Sequence, residues 1–224
     1  PPEANPETLD EIVARRADFL TAYQDAAYAA RYRGLVDEAT KAEARTGRTG
    51  FALAVAKNAF KVMAYKDEYE VARLYTDGSF TQKLNEAFEG DLKLTFHLAP
   101  PILGRKDPRT GQPVKTTFGP WMMRAFGLLA GLKGLRGGPL DVFGYTAERR
   151  EERKLIADYF ALVRELCGKL GADNHAQAVA LASLPETIRG FGHVKAKNLA
   201  AAKEEWAKGL AAWRGAAPMR QAAE

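Results

Sequence analysis

The 224-residue chain is 46% hydrophobic and 27% charged, a composition typical of a globular protein with one large domain or two small ones. Its single cysteine, Cys167, excludes an internal disulfide, a Cys-ligated iron–sulfur cluster and a zinc ribbon. The net charge is +5, and no apolar run approaches the roughly 20 residues of a membrane span, so we predict no membrane association and a cytoplasmic location.

The first 90 residues predict a series of helices. Residues 1–7 are polar, and we expect a linker there. Apolar residues at helical spacing over 7–46 predict one long helix or a helical hairpin, with a capping box at Thr8 and Glu11 and a candidate break at Gly34. Further helices are predicted over 51–65, over 66–78 and from Ser79 to Gly90.

The middle of the chain is strongly basic. Residues 91–136 carry a net charge of +6, against −3 for residues 1–90 and +2 for 137–224. The alternation in DLKLTFHL (91–98) predicts a strand that could pair with VKTTF (114–118) as a two-stranded ribbon. The proline- and glycine-rich stretch between them predicts a long ordered loop. We predict that this region binds a ligand or partner through His97, Arg105, Lys106, Arg109, Lys115, Arg124 and Arg136.

The rest of the chain again predicts helices. An apolar helix is expected over Trp121–Lys133, an irregular segment over 134–146, and a helix capped by Thr146 that ends near Leu170. A short helix starts at His175, and a last one runs from about 194 to 213. We therefore predict a mainly α protein, with a single helical domain over 8–213, a long Pro/Gly-rich basic loop, one small β-ribbon and a frayed tail over 214–224.

Several motifs have both a functional and a structural interpretation. RGFGHVK (189–195) combines Arg189, His193 and Lys195 with two glycines before a helix, as in phosphate-binding loops, although a helix–helix joint fits equally well. KDEYEVARLY (66–75) is interpreted as a solvated helix face with its tyrosines turned inward. His175, beside Asn174 in a turn, is expected to cap a helix or to face solvent.

The chemistry-bearing residues indicate binding rather than catalysis. There is no GxSxG sequence, no Cys–His pairing and no recognisable carboxylate pair, so no catalytic residue is assigned. Cys167 is predicted to be a buried, inert thiol. YTAERREERK (145–154) mixes four basic residues with three glutamates, which argues against nucleic-acid binding because neighbouring charges neutralise each other.

Six long motifs resemble the C-terminal module of fused indolepyruvate:ferredoxin oxidoreductases, members of the 2-oxoacid:ferredoxin oxidoreductase family, over roughly residues 12–213. They are LTAYQDAAYAARY at 20–32, YKDEYEVARLY at 65–75, FHLAPP at 96–101, FGPWM at 118–122, LDVFGYTAERREER at 140–153 and LPETIRGFGHVK at 184–195.

This resemblance implies an accessory module of an enzyme that oxidatively decarboxylates aryl 2-oxoacids to acyl-CoA with ferredoxin as electron acceptor. The parent enzyme is implied to use thiamine diphosphate, magnesium and iron–sulfur clusters, with coenzyme A as co-substrate. The chain alone is expected to bind none of these cofactors and to be inactive, because it lacks the GDG…NN motif and the cluster cysteines. The implied partners are the catalytic domains, and a homo-oligomer is a further option. The alternative is a stand-alone binding module for an acidic protein or nucleic acid.

Overall fold

The computed structural model describes residues 7–90, 92–99, 109, 114–190 and 192–215. In these residues the fold is mainly α with one antiparallel ribbon, which confirms the predicted fold class. No helix in them is long and apolar enough to cross a membrane. The elements are α1 (Leu9–Tyr23), α2 (Ala26–Ala44), α3 (Phe51–Met63), α4 (Glu68–Thr76), α5 (Ser79–Ala87), β1 (Phe96–Leu98), β2 (Thr116–Phe118), α6 (Met122–Gly131), α7 (Ala147–Lys169), α8 (His175–Ser183) and α9 (Gly192–Gly215).

Residue contacts divide the chain into two compact units. Unit 1 consists of residues 1–65 and 152–224, and unit 2 consists of residues 66–151. Residues 8–213, predicted as a single domain, contain two hydrophobic cores, one in each unit. The boundary falls inside α7, after Glu151.

In unit 1, α1 and α2 form the predicted helical hairpin. The capping box at the start of α1 is present, because Thr8 and Glu11 each accept a backbone hydrogen bond from the other. The hairpin breaks where Asp25 caps α2 by accepting from the backbone N–H of Tyr28 at 2.7 Å. Gly34, the candidate break in the sequence, lies inside α2. The break is therefore set by a capping carboxylate.

Buried polar side chains hold both ends of α3. The hydroxyl of Tyr28 donates to the carbonyl of Met63 at 3.0 Å, at the end of the helix. At the other end, the buried carboxylate of Glu43 accepts from the backbone N–H groups of Phe51 at 2.6 Å and Ala52 at 3.0 Å. These groups have no partner within the helix itself, and the helix dipole favours an anion at the N-terminus.

His175 completes this arrangement from α8. Its Nε2 lies 2.7 Å from Oε1 of Glu43, and the side chain is buried. The expectation that His175 faces solvent is therefore wrong. No local pattern could reveal this contact, because the two residues are 132 positions apart.

Unit 2 is built on an aromatic core that joins α4, β1 and α6. Tyr75 stacks on Phe126 at 5.0 Å, and Phe96 meets both rings edge-on at 5.4 Å. β1 pairs with β2 in antiparallel register, with Phe96 opposite Phe118. The predicted ribbon is confirmed, but each strand has only three residues. Edge-to-face and offset aromatic pairs contribute stabilising free energy beyond that of burying their surface, so these contacts strengthen the small core of unit 2.

Candidate docking surface

A buried ion pair fixes the segment after α6 to the start of α4. Asp67 caps α4 by accepting from the backbone N–H of Glu70 at 2.8 Å. Arg136 donates to the same carboxylate from Nε at 2.5 Å and from Nη2 at 2.9 Å, and both side chains are buried. Two parallel charge-assisted hydrogen bonds give this pair a defined geometry. The chain at Arg136 is thereby held against α4.

A second buried carboxylate organises the turn that follows. Asp141 accepts from the backbone N–H groups of Gly137 at 2.7 Å and Gly144 at 3.0 Å, and from the Tyr69 hydroxyl at 3.2 Å. Phe143 packs edge-on against the Tyr69 ring at 5.4 Å. Burial, followed by the charge and the hydrogen bond of Asp141, raises the pKa of Tyr69 to about 12. The turn is thus closed around one carboxylate and anchored by one aromatic pair.

This anchored turn presents apolar side chains to solvent. Leu140 is 70% exposed and Val142 is 65% exposed, on either side of the buried Asp141. Tyr145 is also exposed, and its hydroxyl donates to the carbonyl of Pro139 at 2.7 Å. Because hydrogen bonds hold the backbone between them, little backbone ordering is needed when a partner binds, which lowers the entropy cost of association.

Helix α6 has a second, exposed apolar face. Met122 and Phe126 point into the core of unit 2, whereas Trp121, at the N-cap, is 59% exposed and Leu128 is 76% exposed. Leu132, exposed in the short 3₁₀ helix that follows, continues the row at the spacing of one helix face. A helix that is apolar on all sides is normally buried.

Exposed apolar side chains are concentrated in unit 2. Nine of the ten large exposed hydrophobic residues in the described part of the chain belong to it. We use the name apolar face of unit 2 for two groups of exposed residues on successive parts of the chain: Trp121, Leu128 and Leu132 along α6 and the 3₁₀ helix, and Leu140, Val142 and Tyr145 in the turn. Accumulations of this kind mark interaction surfaces, because single scattered residues are the usual condition of a monomer surface.

Basic side chains accompany the apolar face. Arg124 is exposed and lies on α6 between Trp121 and Leu128, on the same side of the helix. The same stretch of chain carries Lys93, Lys115 and Lys133. The described residues between 92 and 136 include no aspartate or glutamate. The resulting positive field favours a partner surface that combines an apolar centre with acidic groups.

The structure exposes several of the basic residues predicted from the sequence. His97 faces solvent on β1, and its Nδ1 lies 3.1 Å from Oγ1 of Thr117 on β2. Lys115 and Arg109 are exposed, the latter in a turn. Arg105 and Lys106 lie outside the described residues.

Other predicted site residues have partners within their own unit. Arg136 is engaged with Asp67, so its guanidinium stabilises unit 2 internally. In unit 1, Lys195 forms an ion pair with Glu152, and the Nε of Arg189 donates to the carbonyl of Glu186 at 3.0 Å. The side chain of His193 lies outside the described residues. The predicted residues therefore belong to two separate groups, one in each unit.

Two features were missed by sequence reasoning. KDEYEVARLY was interpreted as a solvated face with its tyrosines inward; Tyr69 and Tyr75 do face inward, but Asp67 and Glu70 are also buried. Asp67 followed three residues later by Glu70 is the start signal of a helix, which could have revealed the cap. The irregular segment over 134–146 was expected from its glycines and proline, but the exposure of Leu140 and Val142 within it was missed.

The donor groups of the described residues do not fit an iron–sulfur cluster. The described residues contain no cluster of three or more His, Cys, Asp or Glu side chains that could hold a metal. An iron–sulfur cluster needs several thiolates, and the one cysteine has its pKa raised to about 11, mainly by burial and further by Glu38.

Comparison with known proteins gives one match. Residues 9–208 match the sequence profile of a family of unknown function, DUF6537. No curated protein and no solved structure matches the chain. The matched span includes the apolar face of unit 2 and both of the buried carboxylates that support it.

Proposed function

Because the chain belongs to the family of unknown function DUF6537, whose description names no activity, we propose a function from its surfaces and motifs. We propose an accessory docking module of an enzyme that oxidatively decarboxylates aryl 2-oxoacids, such as indolepyruvate, to acyl-CoA with ferredoxin as electron acceptor. The apolar face of unit 2 is the surface that docks on the catalytic domains.

The concentration of exposed apolar side chains in unit 2 carries this proposal. A rigid turn and a helix present them, so the surface needs little rearrangement on binding. Burial of a leucine-sized side chain contributes about 1.5–3 kcal/mol, and aromatic anchors near the centre of an interface often contribute at least about 2 kcal/mol. Trp121 and Leu128 are placed to be such anchors.

The motifs that resemble the oxidoreductase module supply this surface. FGPWM places Trp121 at the start of α6. LDVFGYTAERREER contains the exposed Leu140 and Val142 together with Asp141, whose carboxylate holds the backbone of the turn. YKDEYEVARLY contributes Tyr69, whose hydroxyl donates to that carboxylate. Three separate stretches of resemblance thus contribute to one unit, which supports a role for that unit in the parent enzyme.

The donor groups of this chain determine which cofactors the proposal assigns to the catalytic domains. Thiamine diphosphate, magnesium and the iron–sulfur clusters belong to the catalytic domains in this proposal, because one cysteine cannot supply a cluster. The basic residues around Lys115 and Arg124 would also draw phosphate-bearing coenzyme A toward the docked surface. In this arrangement the module assists assembly and substrate access.

The test is a pair of variants in the enzyme that contains this chain. Trp121→Ala combined with Leu128→Ser removes two anchors. Val194→Ser is the control, because Val194 is a large exposed hydrophobic residue that belongs to unit 1. We expect the dissociation constant for the catalytic domains to rise about 30-fold or more in the double variant, the equivalent of about 2 kcal/mol. The control should keep the affinity and turnover of the unmodified protein.

Two other results would redirect the proposal. Equal affinity and turnover in the double variant and the control would refute docking through this face. If the chain does not bind the catalytic domains but binds DNA or RNA with a steep salt dependence, the alternative of a stand-alone nucleic-acid-binding module would replace the docking proposal.

A further inference from the structure

Unit 1 contains a cleft between α2 and α7 that has no part in the docking proposal. Its volume is about 410 Å³, within the range of small-ligand sites. Two arginines flank a phenylalanine, and the floor is made by small residues. The lining is Arg31, Gly34, Leu35 and Glu38 from α2 with Ala157, Phe160, Ala161 and Arg164 from α7.

Arg31 is the group in this cleft that is available to a ligand. Its guanidinium carbon lies 5.5 Å from the ring centroids of both Tyr28 and Phe160, and the residue is exposed. No carboxylate among the described residues pairs with it. Its five N–H donors lie in the plane of the guanidinium, an arrangement that suits an oxyanion.

The second arginine is already neutralised. Arg164 lies 6.0 Å from the Phe160 ring and donates to Glu38 from Nε at 3.0 Å and from Nη2 at 3.3 Å. The charges lining the cleft are therefore those of Arg31, Arg164 and Glu38, with a net charge of +1. A ligand with one negative charge complements this set, and a second negative charge would be repelled by Glu38.

The floor of the cleft accommodates an apolar body. A Cβ atom added at Gly34 would meet no atom within 4 Å, so the space above this glycine is open. Across the cleft, Ala157 and Ala161 are exposed and small, and Leu35 lies buried behind the lining. Apolar lining with one oriented polar group is the usual composition of a small-molecule site.

We propose that this cleft binds a small organic monocarboxylate, with its carboxylate on Arg31 and its apolar chain along Gly34, Ala157 and Ala161. The proposal does not depend on the docking role of unit 2. It assigns a ligand class to a cleft whose lining residues are not among the site residues predicted from the sequence.

The experiment follows the Nε–Hε resonances of the arginines in the full chain during titration with hexanoate. The expected result is saturable binding that shifts the Arg31 resonance, with hexanamide and hexyl phosphate binding about 10-fold more weakly. Arg31→Gln should weaken hexanoate binding about 10-fold, the effect of losing one charge-assisted contact. Gly34→Leu, which fills the cleft and suits a helix, should abolish it.

The matched control is Arg33→Gln, two residues along α2. Arg33 is exposed and pairs with Asp18 at 4.0 Å, away from the cleft lining. Equal hexanoate affinity in Arg31→Gln and Arg33→Gln, or no saturation, would overturn the proposal. Hexanamide or hexyl phosphate binding as tightly as hexanoate would overturn the assignment to a monocarboxylate.

Discussion

Replacing Arg136 by methionine is expected to destabilise unit 2, because it leaves a buried carboxylate without its partner. Asp67 and Arg136 are each 3% exposed at the side chain and share two hydrogen bonds of 2.5 and 2.9 Å. Removing one member of a buried pair costs about 3–5 kcal/mol of the free energy of unfolding. For a chain of this length, that corresponds to a fall in Tm of about 6–20 °C.

Thermal unfolding followed by circular dichroism measures this effect, with Arg124→Met as the matched control. Arg124 is exposed on α6 and should change Tm by no more than about 2 °C, the effect of about 0.5 kcal/mol. Asp67→Asn added to Arg136→Met should recover most of the loss, because asparagine keeps the cap of α4 and carries no charge. Equal Tm values for Arg136→Met and Arg124→Met would refute the structural role of the pair and return Arg136 to the ligand-binding residues.

Three further predictions concern buried polar groups. Glu43→Ala should lower the free energy of unfolding by about 2–4 kcal/mol, because two backbone N–H groups and His175 lose their acceptor; a loss below about 0.5 kcal/mol in chemical denaturation would contradict this. Asp141→Asn should lower the pKa of Tyr69 from about 12, and tyrosinate absorbance measures this pKa. In the unmodified protein, the raised pKa of Tyr69 contributes stability that is complete below pH 10 and is lost as the pH rises toward 12. Cys167, with a pKa of about 11, should react with iodoacetamide at pH 8 far more slowly than free cysteine, and equal rates would show an accessible thiolate.

Local patterns predicted the helices well because each depended on nearby residues. The capping box at Thr8 and the cap at Thr146 combine a side chain with a backbone group three residues away. The ribbon was predicted from alternation, and its register brings Phe96 opposite Phe118. Such contacts are encoded within one or two turns of chain, so a sequence reveals them.

The supports of the candidate surface could not be predicted in this way. Asp67 meets Arg136 across 69 positions, and Tyr69 meets Asp141 across 72. Nothing in the local pattern distinguishes a buried charge with a distant partner from a solvated one. Arg136 was therefore grouped with surface cations, although its environment is the interior of unit 2.

The exposed apolar residues could not be predicted from periodicity either. Leu128 and Phe126 both belong to an apolar helix, but one is exposed and the other lies in the core. Periodicity gives the spacing of apolar positions and leaves open which side meets a neighbour when both sides are apolar. Only packing against β1 and α4 decides this.

Side-chain oxidation by hydroxyl radicals tests the docking claim most directly, because it measures exposure of individual residues in solution. The chain is compared alone and within the enzyme that contains its catalytic domains. We expect oxidation of Trp121, Leu128 and Tyr145 to fall several-fold in the assembled enzyme, while oxidation of Val194 stays the same. Equal oxidation of the three residues in both states would contradict docking through the apolar face of unit 2.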